Sequence, residues 1–385
     1  MDDICNEPGE VFIPWVILIE ILSWLPVKTL VRLMCVSKSW KSLISSDKAF
    51  TKLQFERSPK HKHVIISLEE EEEEDRACFI LSPLLRVLEE PSSMIQQDNC
   101  FRFKADLGVV GSCNGLVCLC TSVNVCGYWF RLYNPATRLM FDESPILSRS
   151  VSFEFLRFGF GYDDLRDTYK VVMVFSELPI LREPKTVTMV HCIGDSSWRE
   201  VSCIPGFPVL PHINGLFVGG CLNWFAHDEF NYTNHLMDND TLQQFVIVSF
   251  DMRHETYKFL SLPEGTTDNM PHVGKHLVVL RNCLCLFHDH QRTHFVVWQM
   301  REYGVQQSWT QLVNVSYQHL RCEGSLFPMW LICLCGDDDI IMALKNQDLV
   351  IIYNLSDHSV KHVQLPNIKL RLGAVNYIES LVSPC

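Results

Sequence analysis

Between residues 13 and 57 the apolar positions recur at helical spacing. Pro14 suits the first turn of a helix predicted from Trp15 to Trp24, which stops before Pro26. Ile17, Ile21 and Trp24 share one face of it, with Leu18, Leu22 and Leu25 alongside. A second helix is predicted from Thr29, a good N-cap, to Val36, carrying Leu30, Leu33, Met34 and Val36. A third starts near Ser37 and carries Trp40, Leu43 and Ile44 before the polar Ser45-Ser46-Asp47. Three short helices enclose a core too small to be very stable alone. The first helix also holds Trp15, Val16 and Ile19, so it is apolar nearly all round. Such a helix is either sunk in a large core or covered by a partner. The neighbouring sequence offers no large helical core, so a partner is expected.

From about residue 60 the pattern changes to short strands rich in β-branched and aromatic residues, among them 63–68, 116–120, 128–132, 170–175, 187–192, 245–250, 277–280, 295–300, 340–344 and 349–353. Asn-Gly, Asn-Pro, Gly-Asp and Asp-Asp pairs punctuate them. A loose repeat is visible. One half is a hairpin: Cys113-Asn114-Gly115-Leu116, Val218-Gly219-Gly220-Cys221 and Leu280-Arg281-Asn282-Cys283. The other is an apolar strand and polar turn, as at Ser249-Phe250-Asp251 and Ile352-Tyr353-Asn354. Five units follow, at 107–145, 153–203, 211–265, 271–315 and 326–367, with strands near 62–82 and 374–382 free to form a further one from both chain ends. The period is that of a four-stranded propeller blade, whose sheets bury both faces by stacking radially. A pair of irregular sandwiches is the competing architecture.

Composition narrows the function classes. Apolar residues make up 47% and charged residues 20% of the 385 residues, a globular rather than disordered profile. The net charge of −12 argues against nucleic acid as a partner, though seven of the acidic residues sit in one run, Glu69 to Asp75, read as a solvated loop. Seventeen cysteines, an odd number without regular spacing, point to a reducing compartment, cytoplasm or nucleus, with most thiols buried as small apolar groups. The stretch from Val11 to Leu25 is interrupted by Pro14 and Glu20 and is too short to span a bilayer, so no membrane association is expected.

Residues 13–57, from Ile13-Pro14-Trp15-Val16 through Leu25-Pro26-Val27 to Cys35-Val36-Ser37-Lys38-Ser39-Trp40, resemble an F-box. Leu132-Tyr133-Asn134-Pro135-Ala136-Thr137-Arg138, Gly159-Phe160-Gly161-Tyr162-Asp163 and Tyr377-Ile378-Glu379-Ser380-Leu381-Val382 resemble the plant F-box proteins with an F-box-associated, kelch-like domain. The resemblance covers almost the whole chain. It implies a multidomain α+β protein: a three-helix F-box at 8–57, connecting strands and acidic loop at 58–106, and an all-β kelch-like propeller that binds the target at 107–383. It implies a Skp-type adaptor and, through it, a cullin as partners, with Ile13, Pro14, Ile21, Leu22, Leu25, Pro26, Leu30, Val36 and Trp40 at the adaptor. The implied function is the substrate-recognition subunit of an SCF-type ubiquitin ligase, without catalysis or cofactor of its own. The alternative is an adaptor-bound scaffold or inhibitor. Trp15-Val16 stands where acidic residues usually follow in an F-box, and the kelch double glycine occurs once, at Gly219-Gly220.

Other chemistry is weaker. Cys283, Cys285, His288, His290 and His294 offer sulfur and nitrogen ligands, but lack the usual two-by-two zinc spacing, and buried strand cysteines beside a hairpin turn account for them. Asp337-Asp338-Asp339 lacks the glycine and distal glutamate of a calcium loop. Trp224, Phe225, His227 and Tyr232 form either an aromatic ligand face or, for Trp224, blade core. No nucleophile elbow, Walker loop or His-Glu-x-x-His is present.

Overall fold

The computed structural model describes residues 13–58, 62–68, 77–83, 100–103, 107–123, 127–148, 156–177, 185–201, 214–227, 245–264, 266, 275–321, 329–335, 339–344, 349–364 and 375–383. Four helices open it: α1 (Trp15–Ser23), α2 (Val27–Leu33), α3 (Lys38–Ser46) and α4 (Lys48–Arg57). Three were expected. The fourth follows from Asp47, whose carboxylate caps Phe50 N at 2.9 Å and lets Phe50 and Gln54 turn inward. Helix α2 starts two residues before the expected Thr29, because Pro26 already supplies the carbonyl that Thr29 and Leu30 N–H bond to. Ser37 caps α3 as expected, accepting from Trp40 N at 3.1 Å.

The strands follow in chain order: β1 (Lys62–Leu68), β2 (Ala77–Pro83) and β3 (Cys100–Phe103); β4 (Leu107–Cys113), β5 (Leu116–Val123), β6 (Gly127–Asn134), β7 (Leu139–Glu143) and β8 (Leu147–Ser148); β9 (Leu156–Asp163), β10 (Thr168–Glu177), β11 (Lys185–Cys192) and β12 (Arg199–Val201); β13 (Leu216–Val218), β14 (Cys221–His227), β15 (Phe245–Asp251) and β16 (Tyr257–Leu260); β17 (Lys275–Leu280), β18 (Cys283–His290), β19 (His294–Met300) and β20 (Trp309–Ser316); β21 (Met329–Cys335), β22 (Asp339–Leu344), β23 (Leu349–Asn354) and β24 (Val360–Gln364); and β25 (Val375–Ile378). Each run of strands is an antiparallel meander, with β8 as an added strand paired to β6, and every repeat unit read from the sequence falls in one sheet. The first sheet has the order β25-β1-β2-β3, with Ile65 opposite Val375 and His63 opposite Tyr377, so both chain ends share it. The stretch after residue 58, read as connecting, thus supplies three strands of that sheet.

Successive sheets bury their faces against one another. Ile65, Phe79, Leu119 and Tyr377 join the first and second sheets. Phe130, Phe158, Phe160 and Met173 join the second and third. Val172, Leu222, Trp224 and Phe250 join the third and fourth, and Ile247, Leu277, Leu286 and Trp309 the fourth and fifth. The leading strands β25, β4, β9, β13, β17 and β21 touch in that order. The glycines of β9 permit the close approach: a Cβ at Gly159 would lie 2.6 Å from Leu222 Cδ1, and one at Gly161 2.4 Å from Phe217 Cδ2.

The turns carry the repeat. Asn114-Gly115, Gly219-Gly220 and Arg281-Asn282 each place two residues at positive φ between paired strands, the conformation of a two-residue hairpin that matches strand twist. A second recurring turn follows an aromatic-Asx pair: Asn134, Asp163, Asp251 and Asn354 each accept from the N–H groups two and three residues on. Four residues after each lies a left-handed residue, Arg138, Asp167, Glu255 or His358. Among the described residues eight cysteines are free thiols, and Cys113, Cys118, Cys120, Cys221 and Cys285 of these are buried as expected.

Candidate functional site

Helix α1 divides its apolar residues between two surroundings. Its inner side puts Leu22 into a core with Val27, Leu30, Leu43, Ile44 and Phe50, and Leu18 and Ile19 pack against it. Its outer side leaves Trp15, Val16, Ile17, Ile21 and Trp24 open to solvent, continuous in sequence with Ile13, and Val16 is 77% exposed. Ile13, Ile17, Ile21 and Trp24 follow one another at helical spacing. Of the eleven large apolar side chains exposed among the described residues, seven lie between Ile13 and Val36. Such a concentration on a small module is the mark of a docking surface.

The edge of this face is held by charge. Arg57 of α4 donates to Glu20 at 2.6 Å and to Ser23 Oγ at 3.1 Å, and its guanidinium lies 5.6 Å from the Trp24 ring. The hydrogen bond from Arg57 holds the Glu20 carboxyl below the ordinary glutamate value, against a smaller opposing effect of desolvation. Gln54 Nε2 donates to Leu25 O at 3.1 Å, closing α4 over the α1–α2 turn.

The nine residues expected at an adaptor are split by this geometry. Ile13, Pro14, Ile21 and Val36 are exposed; Leu25, Pro26 and Trp40 are half-buried. Leu22 and Leu30 are interior, at 2% and 0% exposure, and face the module's own core. Val16, Ile17 and Trp24, which extend the outer stripe, were not in the expected set; the spacing of Ile17, Ile21 and Trp24 was the signal that finds them.

The other constellations do not assemble. Cys285 and His288 are buried, and burial pushes the Cys285 thiol up to about 12; His290 pairs across the hairpin with His294. Among the described residues no group of three or more His, Cys, Asp or Glu side chains is placed to hold a metal ion. Trp224 and Phe225 are buried between sheets, and Trp224 Nε1 donates to Phe158 O at 3.3 Å, so they form core rather than a ligand face. Tyr232, Asp337, Asp338 and the acidic run from Glu69 to Asp75 lie outside the described residues.

A second set of polar groups crosses between sheets. Lys170, fully buried, is 2.6 Å from Asp163 and 2.8 Å from Glu255, and donates to Met252 O at 2.6 Å. Arg199 forms a bidentate pair with the same Glu255. Burial pushes the Glu255 carboxyl up, but the hydrogen bonds from Arg199 and Lys170 outweigh it and hold the carboxyl below its ordinary value. This network joins the third sheet to the β15–β16 turn of the fourth.

Comparison with known proteins agrees with the layout. A family profile described as F-box associated beta propeller domain matches residues 33–381, and one described as F-box domain matches residues 13–52. The chain is similar to the Arabidopsis thaliana F-box/kelch-repeat protein At3g23880, at 26% identity over 95% of this chain and 94% of that one. It is also similar to the Arabidopsis thaliana F-box protein CPR1, at 24% identity over 97% and 89%. Among solved structures, one of a nidogen/laminin complex matches with a TM-score of 0.42 and 10% identity over 83% of this chain and 99% of that one, too remote to bear on function.

Proposed function

We propose, from the premise that this chain belongs to the F-box associated beta propeller family, that it is the substrate-recognition subunit of an SCF-type ubiquitin ligase. The observation that carries the reading is the exposed apolar face of α1 on an F-box module. In this reading the face docks a Skp-type adaptor, and through it a cullin, while the β domain holds a target protein. The contribution to ubiquitin transfer is proximity: a held target acquires a high effective concentration beside the charged conjugating enzyme. The chain itself supplies no reacting group.

The docking set we propose is Ile13, Pro14, Val16, Ile17, Ile21, Trp24 and Val36, with Leu25, Pro26 and Trp40 at its margin. Leu22 and Leu30 support it from beneath. We place the module boundary between Arg57 and Lys62, and the target site at the end of the β domain away from the helices. Strands in a meander alternate in direction, so turns after first and third strands gather at one end and turns after second strands at the other. The helical module contacts Ala136 in a turn of the first kind. That leaves the second end, which carries the 290–294 hairpin, open to a target. We further propose that the six sheets close into one ring and that the protein works in cytoplasm or nucleus.

The test is titration of purified Skp-type adaptor into the full chain and into an Ile17→Asp, Ile21→Asp variant. Anchors of this size cost ~2 kcal/mol or more each when lost, so losing two should lower affinity by about 700-fold, with the helices intact by circular dichroism. Absence of wild-type binding to any Skp-type adaptor would overturn the reading. Binding to adaptor without ubiquitination of any captured target would favour the scaffold instead.

A further inference from the structure

The described chain runs on beyond β25. Glu379, Ser380, Leu381 and Val382 continue past it; Glu379 touches both bodies, and the next three side chains alternate between them. Glu379 lies 3.4 Å from Lys28 of α2, and its carboxylate is 3.5 Å from His63 Nε2. Leu381, 6% exposed, completes the helical core with Leu22, Val27, Leu30, Leu43, Ile44 and Phe50. The alternate residues turn the other way. Ser380 Oγ donates to Asn114 O at 2.7 Å, and Val382 packs against the core between the second and third sheets. Asn134 Nδ2 donates to both Ser380 O and Val382 O, at 3.1 and 3.0 Å. The seat is shaped for this segment: a Cβ at Gly115 would fall 2.2 Å from Ser380 Oγ.

We infer that residues 379–382 are positioning residues, a clamp that fixes the orientation of the helical module, and of whatever docks on α1, relative to the β domain. The inference rests on the proposed function only for what the orientation is used for; the clamp itself stands on contacts between the two bodies. Relative motion of two domains is the default unless a large apolar interface joins them. Among the described residues and apart from the tail, one β-domain residue packs on the helical core, Ala136, and that residue belongs to the turn whose Asn134 grips the tail. Asn134 therefore serves two roles. Its Oδ1 closes its own turn by accepting from Ala136 and Thr137 N–H, and its Nδ2 holds the tail. Asp163 and Asp251 close equivalent turns with a carboxylate, which accepts but cannot donate. An Asn134→Asp substitution should keep the turn and remove only the grip.

The experiment uses the full chain with two fluorophores on genetically encoded residues at exposed Ser42 and Arg321, read one molecule at a time well below the melting temperature. Wild type should give one narrow transfer-efficiency peak. Leu381→Asp should broaden it from the helical side and Asn134→Asp from the β side, while Leu381→Met keeps it narrow. Amide exchange in α2 and α3 should rise by about tenfold or more in the first two variants, with exchange in β9–β11 unchanged. A merely structural contribution would lower the melting temperature without broadening the peak in the folded protein. Narrow peaks and unchanged exchange in both variants would overturn the clamp. Adaptor titration into the same wild-type sample separates the two ideas: no binding there sinks the receptor reading and leaves the distance result to stand or fall alone.

Discussion

Lys170 is buried from solvent, and two carboxylates and a backbone carbonyl surround its ammonium. Removing one partner from such a set costs more than the pair contributes, because the remaining charge stays buried. Glu255→Gln should therefore destabilise the protein by roughly 1–3 kcal/mol at neutral pH. The sign with pH follows from the direction of its shift. A carboxyl held below its ordinary value stabilises the fold fully above that value, and loses the contribution as pH falls through the depressed one. Urea melts of wild type and Glu255→Gln should differ at pH 7 and converge on acidification below the glutamate range; a gap that persists in acid would assign the effect to packing. Gly159 makes a purely steric counterpart. Its missing Cβ lets Leu222 of the next sheet sit at 0% exposure, so Gly159→Ala should cost about 1–3 kcal/mol with no pH dependence. The sequence alone marks Gly159-Phe160-Gly161 as part of a family resemblance; only the distance to the neighbouring sheet says what the glycines do.

At the scale of elements, α1 has one apolar side inside and another outside, and single substitutions tell them apart. Leu22→Asp puts a carboxylate into the helical core and should unfold the module, while Ile21→Asp, one residue earlier, should leave helicity intact and remove adaptor binding. Circular dichroism of the helical signal, run beside adaptor titration, distinguishes the two; equal loss of helicity in both would refute the division. Periodicity located α1 and α3 and every hairpin built on Asn-Gly, Gly-Gly or Arg-Asn, because those signals are local. It did not show which side of α1 faces its own core, since a helix apolar all round carries no orientation. Helix α4 escaped for a related reason: Asp47 ends α3 and caps the next helix at once, with no intervening loop residues. Asp47→Ala should cost ~1 kcal/mol in the thermal melt of the helical module.

Across the whole molecule, the longest-range pairing decides how the chain behaves when cut. His63 faces Tyr377 across the β1–β25 pair, and Tyr377, 1% exposed, fills the core between the first two sheets. The repeat period left the strands near 62–82 and 374–382 to form a sheet from both chain ends, and they do; their register was not legible, because pairing partners hundreds of residues apart leave no local mark. Two truncations only four residues apart should separate the roles of strand and tail. Ending the chain after Ile378 keeps β25 and Tyr377 but removes the residues that touch the helices and Asn134. The β domain should then melt with nearly its full cooperativity, and the helical module should lose protection. Ending it after Ala374 strips β1 of its partner and opens the cavity of a buried tyrosine, a loss of about 3–5 kcal/mol by analogy with large aromatic deletions. An unpaired β1 edge is also a template for association, so this second product should aggregate on concentration where the first stays monomeric. Urea melts and light scattering on the two products check both expectations. Equal stability would mean that β25 adds little and that the first sheet is held by its contacts with the second.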